Sequence, residues 1–321
     1  MRWLQGDALG ELLYGSDAYL YLHRIDQAAT GDPTGRERVS CANIPRTALA
    51  VILIAGQSNA SNSVPADANG KHYSTQNPVF SLNIGDGKCY VAKNPLLGTD
   101  SRLDANNQPS GQSFALPLAS ALIDAGLYER VLLVPIAVSG TLIEQWIPSP
   151  PRTPGASLFN RFVSATNYLK GVGLTPTFVL WHQGEGNSGP LQAHAKRGTL
   201  TTDLERATTL SWMRNFLHIV AALRGMGVDA PVFVAKATIC GGAEPGAIIR
   251  KAQGGVADPA ARIFPGPDTD AIDFALRHDG CHFSHEGNLV HAHKWYEVLR
   301  DFIGPSRDGP PALTQPPLRA K

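Results

Sequence analysis

Uninterrupted apolar runs alternate with helix-period stretches along most of this chain. The clearest run, Ala50-Val51-Ile52-Leu53-Ile54-Ala55, has no polar break, which is the pattern of a strand buried on both faces in a parallel sheet. Residues 131–138, 177–182 and 232–239 repeat it, with Pro135 in the first of these marking an edge or irregular position. Between them lie helical patterns. Residues 114–125 place Leu118 and Leu122 one turn apart and end at Gly126, a natural C-cap, and residues 157–169 form a second helix. The longest opens at Thr202-Asp203-Leu204-Glu205, which has the form of a capping box, carries the stripe Leu210, Met213, Leu217 and Val220, and stops at Gly225. A short helix covers 247–253, and a last one begins after Ser284 with Leu289, Trp295, Val298 and Leu299, ending near Phe302.

The polar stretch from 62 to 112 holds two strand-like segments, 79–82 and 88–91, around Gly85-Asp86-Gly87, the signature of a β-hairpin. It reads as an ordered cover near the substrate. Residues 1–47 read as an N-terminal addition packed on the main body, with a short strand at Tyr19-Leu20-Tyr21-Leu22 and a loop at Gly31-Asp32-Pro33-Thr34-Gly35. Residues 304–321, rich in proline, read as a loose tail. Buried strands alternating with amphipathic helices predict a three-layer α/β/α sandwich around one parallel sheet, a single domain over 48–303.

Composition narrows this little further. The 321 residues are 43% hydrophobic and 17% charged, as in a globular chain with a substantial core. A net charge of +1 gives no sign of a nucleic-acid partner. No apolar run approaches the roughly 20 residues that cross a bilayer. The start, Met1-Arg2-Trp3-Leu4-Gln5-Gly6-Asp7, lacks the apolar core of a secretory signal. A secreted or periplasmic location is expected if a leader was trimmed from it, and a cytoplasmic one otherwise. Cys41, Cys89, Cys240 and Cys281 contain no Cys-x-x-Cys pair and leave three disulfide pairings open, of which at least one bridge is expected.

Each apolar run ends in a polar or glycine-rich cluster: Gly56-Gln57-Ser58, Ser139-Gly140-Thr141, Trp181-His182-Gln183-Gly184-Glu185 and Cys240-Gly241-Gly242. Parallel strands put such clusters on one rim, where chemistry collects in open α/β sheets. The loop His278-Asp279-Gly280-Cys281-His282-Phe283-Ser284-His285, entering the last helix, should return there. Ser58, His282 and Asp279 are thus the expected nucleophile, base and orienting carboxylate of acyl transfer. The backbone N–H groups of Ser58 and Gly140 and the side-chain amide of Gln183 are the expected oxyanion donors. Gln57, Asn59, Glu185 and Trp146 are candidate substrate contacts, Trp146 as a platform for a sugar ring; Glu185 reads more as a structural partner of nearby backbone than as a catalytic acid. Plain alternatives stand beside these readings: Ser58 as a turn serine, Gly140 as a turn glycine, and Asp279 bonding backbone amides at a helix entry. His278, Cys281, His282, His285, His291 and His293 lack a His-Glu-x-x-His motif, so no metal and no cofactor are expected. Cys240 and Cys281 both fall on the rim, where a bridge would pin the loop carrying Asp279 and His282.

Taken in order, Gly56-Gln57-Ser58-Asn59, Gly140, Gln183-Gly184-Glu185 and Asp279-x-x-His282 resemble the blocks of the SGNH hydrolase superfamily, and in particular its carbohydrate esterase branch of family 6 acetylxylan esterases and sialate O-acetylesterases. Asn83-Ile84-Gly85-Asp86-Gly87-Lys88 and Asn94-Pro95-Leu96 also look like that branch, so the resemblance spans residues 50–303. It implies a flavodoxin-like fold and metal-free hydrolysis of acetyl esters on sugars such as acetylxylan. The usual block-three asparagine is absent, and Gln183 stands in its place. A sialate O-acetylesterase, or a non-catalytic carbohydrate-binding protein on an esterase scaffold, are the rival readings; the expected partner is an acetylated carbohydrate.

Overall fold

A computed structural model describes residues 32–304, except 106–108, 149–156 and 245. The strand expected at Tyr19 to Leu22 and the tail beyond Gly304 lie outside the described residues. Eight strands, β1 (Arg38–Val39), β2 (Leu49–Gly56), β3 (Val79–Asn83), β4 (Lys88–Val91), β5 (Arg130–Pro135), β6 (Phe178–His182), β7 (Val232–Lys236) and β8 (Ile263–Asp268), form one sheet in the order β1-β4-β3-β5-β2-β6-β7-β8. From β3 to β8 all pairings are parallel, while β4 and β1 add an antiparallel edge. The helices are α1 (Ala115–Asp124), α2 (Phe159–Gly171), α3 (Glu185–Lys196), α4 (Thr202–Gly225), α5 (Ala247–Gly255) and α6 (His285–Ile303). None of them is long and apolar enough to cross a membrane.

The alternation of side chains along a strand divides β2 between two cores. Val51, Leu53 and Ala55 pack with Phe162 of α2, Trp212 and Phe216 of α4 and Ile249 of α5. Ala50, Ile52 and Ile54 pack on the other face with Leu118 and Leu122 of α1 and Trp295 and Leu299 of α6. This is the α/β/α sandwich, and it explains why β2 has no polar position. The described part of the N-terminal region joins the same body: β1 pairs with β4, and Cys41 is bridged to Cys89.

Several expectations need correction. Pro135 does not mark an edge, because β5 lies between β3 and β2. It closes the strand, where its missing N–H costs nothing, and Ile136 N–H resumes bonding to the Ile54 carbonyl at 2.8 Å. Strand β7 ends at Lys236 and not at 239, since the next amides turn to side chains: Ala237 N–H to Gln253, and Thr238 and Ile239 N–H to Asp270. In α4 the cap is Thr201, which accepts from Leu204 N–H, and the buried face is Trp212, Phe216, Ile219 and Leu223. Leu210 and Leu217 of the expected stripe are exposed, because the helix turns its larger aromatic stripe inward. Leu289 likewise lies on the outer side of α6, whereas Phe302, near its end, packs against Phe178, Phe233 and Phe264; the cap of α6 is Ser284, as the sequence indicated. Strand β8 and helix α3 have no clear hydrophobic period in the sequence, their patterns broken by Pro265, Gly266 and Pro267 in one and by Gly186, Gly189 and Pro190 in the other.

At the carboxyl edge of β2, Gly56 has φ +127°, and a methyl group there would lie 2.0 Å from the His182 carbonyl oxygen. Only glycine permits both the backbone angle and that approach to β6. Gly56→Ala is therefore expected to lower the free energy of unfolding by more than about 3 kcal/mol, read from the midpoint of chemical denaturation; a loss below about 1 kcal/mol would contradict this packing.

Candidate active site

Immediately after Gly56 the chain folds back on itself. Gln57 N–H donates to the His182 carbonyl at 2.9 Å, and Ser58–Ala60 make a single tight turn. The Ser58 carbonyl is held by Ser61 N–H at 2.9 Å, Ser61 Oγ at 2.8 Å and Ser63 Oγ at 2.6 Å. Ser58 Oγ itself bonds no protein group among the described residues.

Asn59 ties this turn to the far end of the chain. Its Nδ2 donates to the Cys281 carbonyl at 3.3 Å and to Glu185 Oε1 at 2.9 Å, and its Oδ1 accepts from Phe283 N–H at 3.4 Å. Cys281 and Phe283 flank His282. The turn of Ser58 and the loop of His282 are thus neighbours at one edge, although 222 residues separate Asn59 from Cys281. No hydrogen bond joins Ser58 Oγ to His282 among the described residues.

The His282 loop is built around Asp279. Oδ1 accepts from Cys281 N–H at 2.9 Å and His282 N–H at 2.7 Å, while Oδ2 meets His282 Nδ1 at 2.7 Å. One carboxylate therefore shapes the backbone and orients the imidazole together. Burial pushes its carboxyl upward, but the bonds from the His282 ring and the two amides prevail and hold it down at about 2. The same loop is closed by His278 N–H on the His282 carbonyl at 2.9 Å, and pinned to the loop after β7 by the Cys240–Cys281 disulfide. Arg277 completes it: buried, it donates to the carbonyls of Cys281 and Thr269 and lies over the Phe283 ring at 4.2 Å.

Gly140 occupies the neighbouring loop with φ +70°, a left-handed turn position. Ser139, beside it, donates its N–H to Asp100 Oδ2 at 3.1 Å and meets Ser61 Oγ at 3.2 Å through its own hydroxyl. Among the described residues no protein group accepts from the N–H of Ser58 or of Gly140.

The remaining expected site residues are part of the frame. Gln183 is fully buried; its Nε2 is committed to Gln57 Oε1, the Thr141 carbonyl and Asn187 Oδ1, and its Oε1 accepts from Trp212. It presents no donor to the rim, so the third oxyanion donor expected from it is absent here. Gln57 Oε1 is turned inward onto Gly186 N–H at 3.0 Å and Gly184 N–H at 3.4 Å. Trp146 is 0% exposed, edge-on to Trp181 and Phe162, with its indole N–H on Thr141; it is core and offers no face to a sugar. Asn59 and Glu185 are equally buried. Glu185 accepts from His182 Nε2 at 3.0 Å as well as from Asn59, and although burial pushes its carboxyl upward, His182 and Asn59 hold it below the usual value.

Sequence reasoning assigned no role to His182, Arg277 and Asp270, and weighed His291 only as a metal ligand. The spacing His182-x-x-Glu185 on one rim was the available hint for the first. His291 packs against His182 with ring centroids 4.8 Å apart; burial, and then the charges of His182 and Arg277, push it well below the usual histidine value. As a neutral ring it accepts the Trp295 indole N–H at 3.0 Å. Asp270 anchors the loop after β7 through Thr238 and Ile239 and pairs with Arg250. No pattern in the sequence marks either of these two roles.

Comparison with known proteins agrees with this architecture. No protein of curated function matches the chain in sequence. Among solved structures, one from Arabidopsis thaliana is 18% identical with a TM-score of 0.56, over 78% of this chain and 97% of its own. NanS is 19% identical with a TM-score of 0.49, over 81% and 98%. A carbohydrate acetylesterase from Xanthomonas citri is 15% identical with a TM-score of 0.47, over 78% of this chain and 55% of its own. The likeness to the Arabidopsis thaliana protein, at 18% identity, bears on the fold alone. The sequence profile described as "carbohydrate esterase, sialic acid-specific acetylesterase" matches residues 48–299, and this chain belongs to that family.

Proposed function

We propose that this protein is a serine esterase that removes O-acetyl groups from a carbohydrate through an acetyl-enzyme. The observation that carries the reading is the Asn59 clamp, which sets the Ser58 turn against the backbone on both sides of His282. Ser58 Oγ attacks the acetyl carbonyl carbon as His282 Nε2 takes its proton. Asp279, on Nδ1, keeps the imidazole in the accepting tautomer and stabilises the cation that forms. The oxyanion is met by the free N–H groups of Ser58 and Gly140. On collapse the sugar oxygen leaves with the proton from Nε2; water then attacks the acetyl ester by the same route in reverse and releases acetate. The missing Ser58–His282 hydrogen bond is consistent with a resting enzyme, in which catalytic bonds are often long before substrate binds.

The catalytic unit is assigned to residues 48–303, with an N-terminal addition over 1–47 packed on it and a tail over 304–321; the family match over 48–299 supports its start, and the last helix, ending at Ile303, its end. The substrate is an acetylated polysaccharide or oligosaccharide such as acetylxylan. A sialate O-acetylesterase is the second reading, favoured by the description of the matching family.

Ser58→Ala is expected to reduce p-nitrophenyl acetate hydrolysis by at least about 10³-fold with an unchanged melting temperature; retained activity would remove Ser58 from its role. Rates on acetylated xylan, 9-O-acetylated sialic acid and longer acyl esters, measured side by side, decide between the substrates. Asp279→Asn is expected to lower turnover by about 10³- to 10⁴-fold, through the wrong tautomer. It also has a signature in stability. A carboxyl held at about 2 when folded stabilises the protein fully above its unfolded value near ~4, and the gain is lost as pH falls through the folded value. The melting-temperature gap between wild type and Asp279→Asn should therefore narrow as pH falls from about 4 towards 2; a gap unchanged over that range would contradict it.

A further inference from the structure

Beside the imidazole that the proposed reaction needs lies a second one that it does not use. His278 Nε2 is 3.8 Å from Asp279 Oδ2, the oxygen that meets His282 Nδ1 at 2.7 Å, and one ligand atom from each of the three residues lies within 4.8 Å of the others. The side chains are 27%, 40% and 28% exposed in chain order, so an ion can reach them from solvent. Two imidazole nitrogens and one carboxylate oxygen are a donor set that zinc takes with a fourth position open to water. Such donors favour zinc over magnesium or calcium, which prefer oxygen. A tetrahedral ion at ~2.0–2.1 Å from each ligand needs them about 3.3 Å apart. The Asp279–His282 contact must open slightly and His278 must close in, movements within reach of partly exposed side chains. The carboxylate is already steadied from behind by two amides on Oδ1, and the loop is pinned by Cys240–Cys281.

We propose that zinc bound by His278 Nε2, Asp279 Oδ2 and His282 Nδ1 switches the esterase off. The reason is the tautomer. Zinc takes the lone pair of Nδ1, so the single proton of the neutral ring passes through solvent from Nδ1 to Nε2. Nε2 then carries a hydrogen and has no lone pair with which to accept the proton of Ser58. Zinc takes no part in the ester chemistry; it competes with the Nδ1–H···Asp279 bond that sets the productive ring. The inhibition rests on the catalytic reading given above, whereas zinc binding does not.

The test titrates ZnCl₂ into the full chain by calorimetry in a non-coordinating buffer, using wild type, Ser58→Ala, His278→Ala and, as a histidine outside the cluster, His285→Ala. The same zinc range is applied to p-nitrophenyl acetate hydrolysis. Wild type, Ser58→Ala and His285→Ala are expected to bind zinc alike, with one ion depending on His278. Saturating zinc should lower the wild-type rate at least 10-fold, reversed by EDTA and not reproduced by magnesium. His278→Ala should weaken that binding, and raise the zinc concentration for half-inhibition, at least 10-fold. Equal binding or equal inhibition in His278→Ala overturns the site, and His278-dependent binding without loss of rate overturns the switch. If Ser58→Ala kept its esterase activity, the catalytic reading would fall while calorimetry still decided whether zinc binds.

Discussion

Two backbone segments from opposite ends of the chain must be held at one sheet edge, and the buried amide of Asn59 is the group that spans them. It reaches the carbonyl before His282, the N–H after it and the carboxylate of Glu185. Each such bond contributes only about 0.5–1.5 kcal/mol net, with the bond to the charged carboxylate at the stronger end. Their effect is larger than that sum in one respect. A buried amide that loses its partners has no water to turn to, so the geometry is favoured by the cost of every arrangement that leaves it unpaired. Arg277 and the Cys240–Cys281 bridge restrain the same loop from its other sides.

Beneath the rim, the polar residues form a frame. Gln57, Gln183, Asn187 and Thr141 satisfy one another, and His182, Glu185 and Asn59 form a second chain that reaches the surface only through the loops it supports. A glutamine or glutamate at a strand end carries the same chemical groups whether it faces substrate or faces inward. Direction decides, and direction depends on how the strands meet. Here Gly56 lets β2 approach β6 so closely that Gln57 is turned under the rim, its Oε1 on the amides of Gly184 and Gly186.

The contrast between Asp279 and Glu185 follows the same logic. Both are held below the usual carboxyl value, each against the pull of burial. Asp279 does it at a partly exposed edge, with one oxygen on backbone amides and the other on His282. Glu185 does it in the interior against His182 and Asn59. The first can respond to substrate, protons or an ion from solvent; the second fixes positions.

The sandwich, its strand-end clusters, the turn at Gly140 and the contact of Asp279 with His282 were legible in the chain because each rests on a local pattern: an unbroken apolar run, a glycine at a turn, an acid three residues before a histidine. The hairpin of β3 and β4 and the cap at Ser284 were legible for the same reason. What failed depended on packing between distant elements. The inward face of α4 went to Trp212 and Phe216 because the sheet had room for them, and Trp146 went to the core because Trp181 and Phe162 were there to meet it. Gln57 and Gln183 follow directly on strand ends and point inward, and Glu185, at the start of α3, is the structural partner its position suggested, held by His182 and Asn59. A sequence determines which groups arrive at an edge, since periodicity and turn chemistry are short-range; which way each one points is settled by contacts between residues more than 100 positions apart, and those exist only in the folded chain.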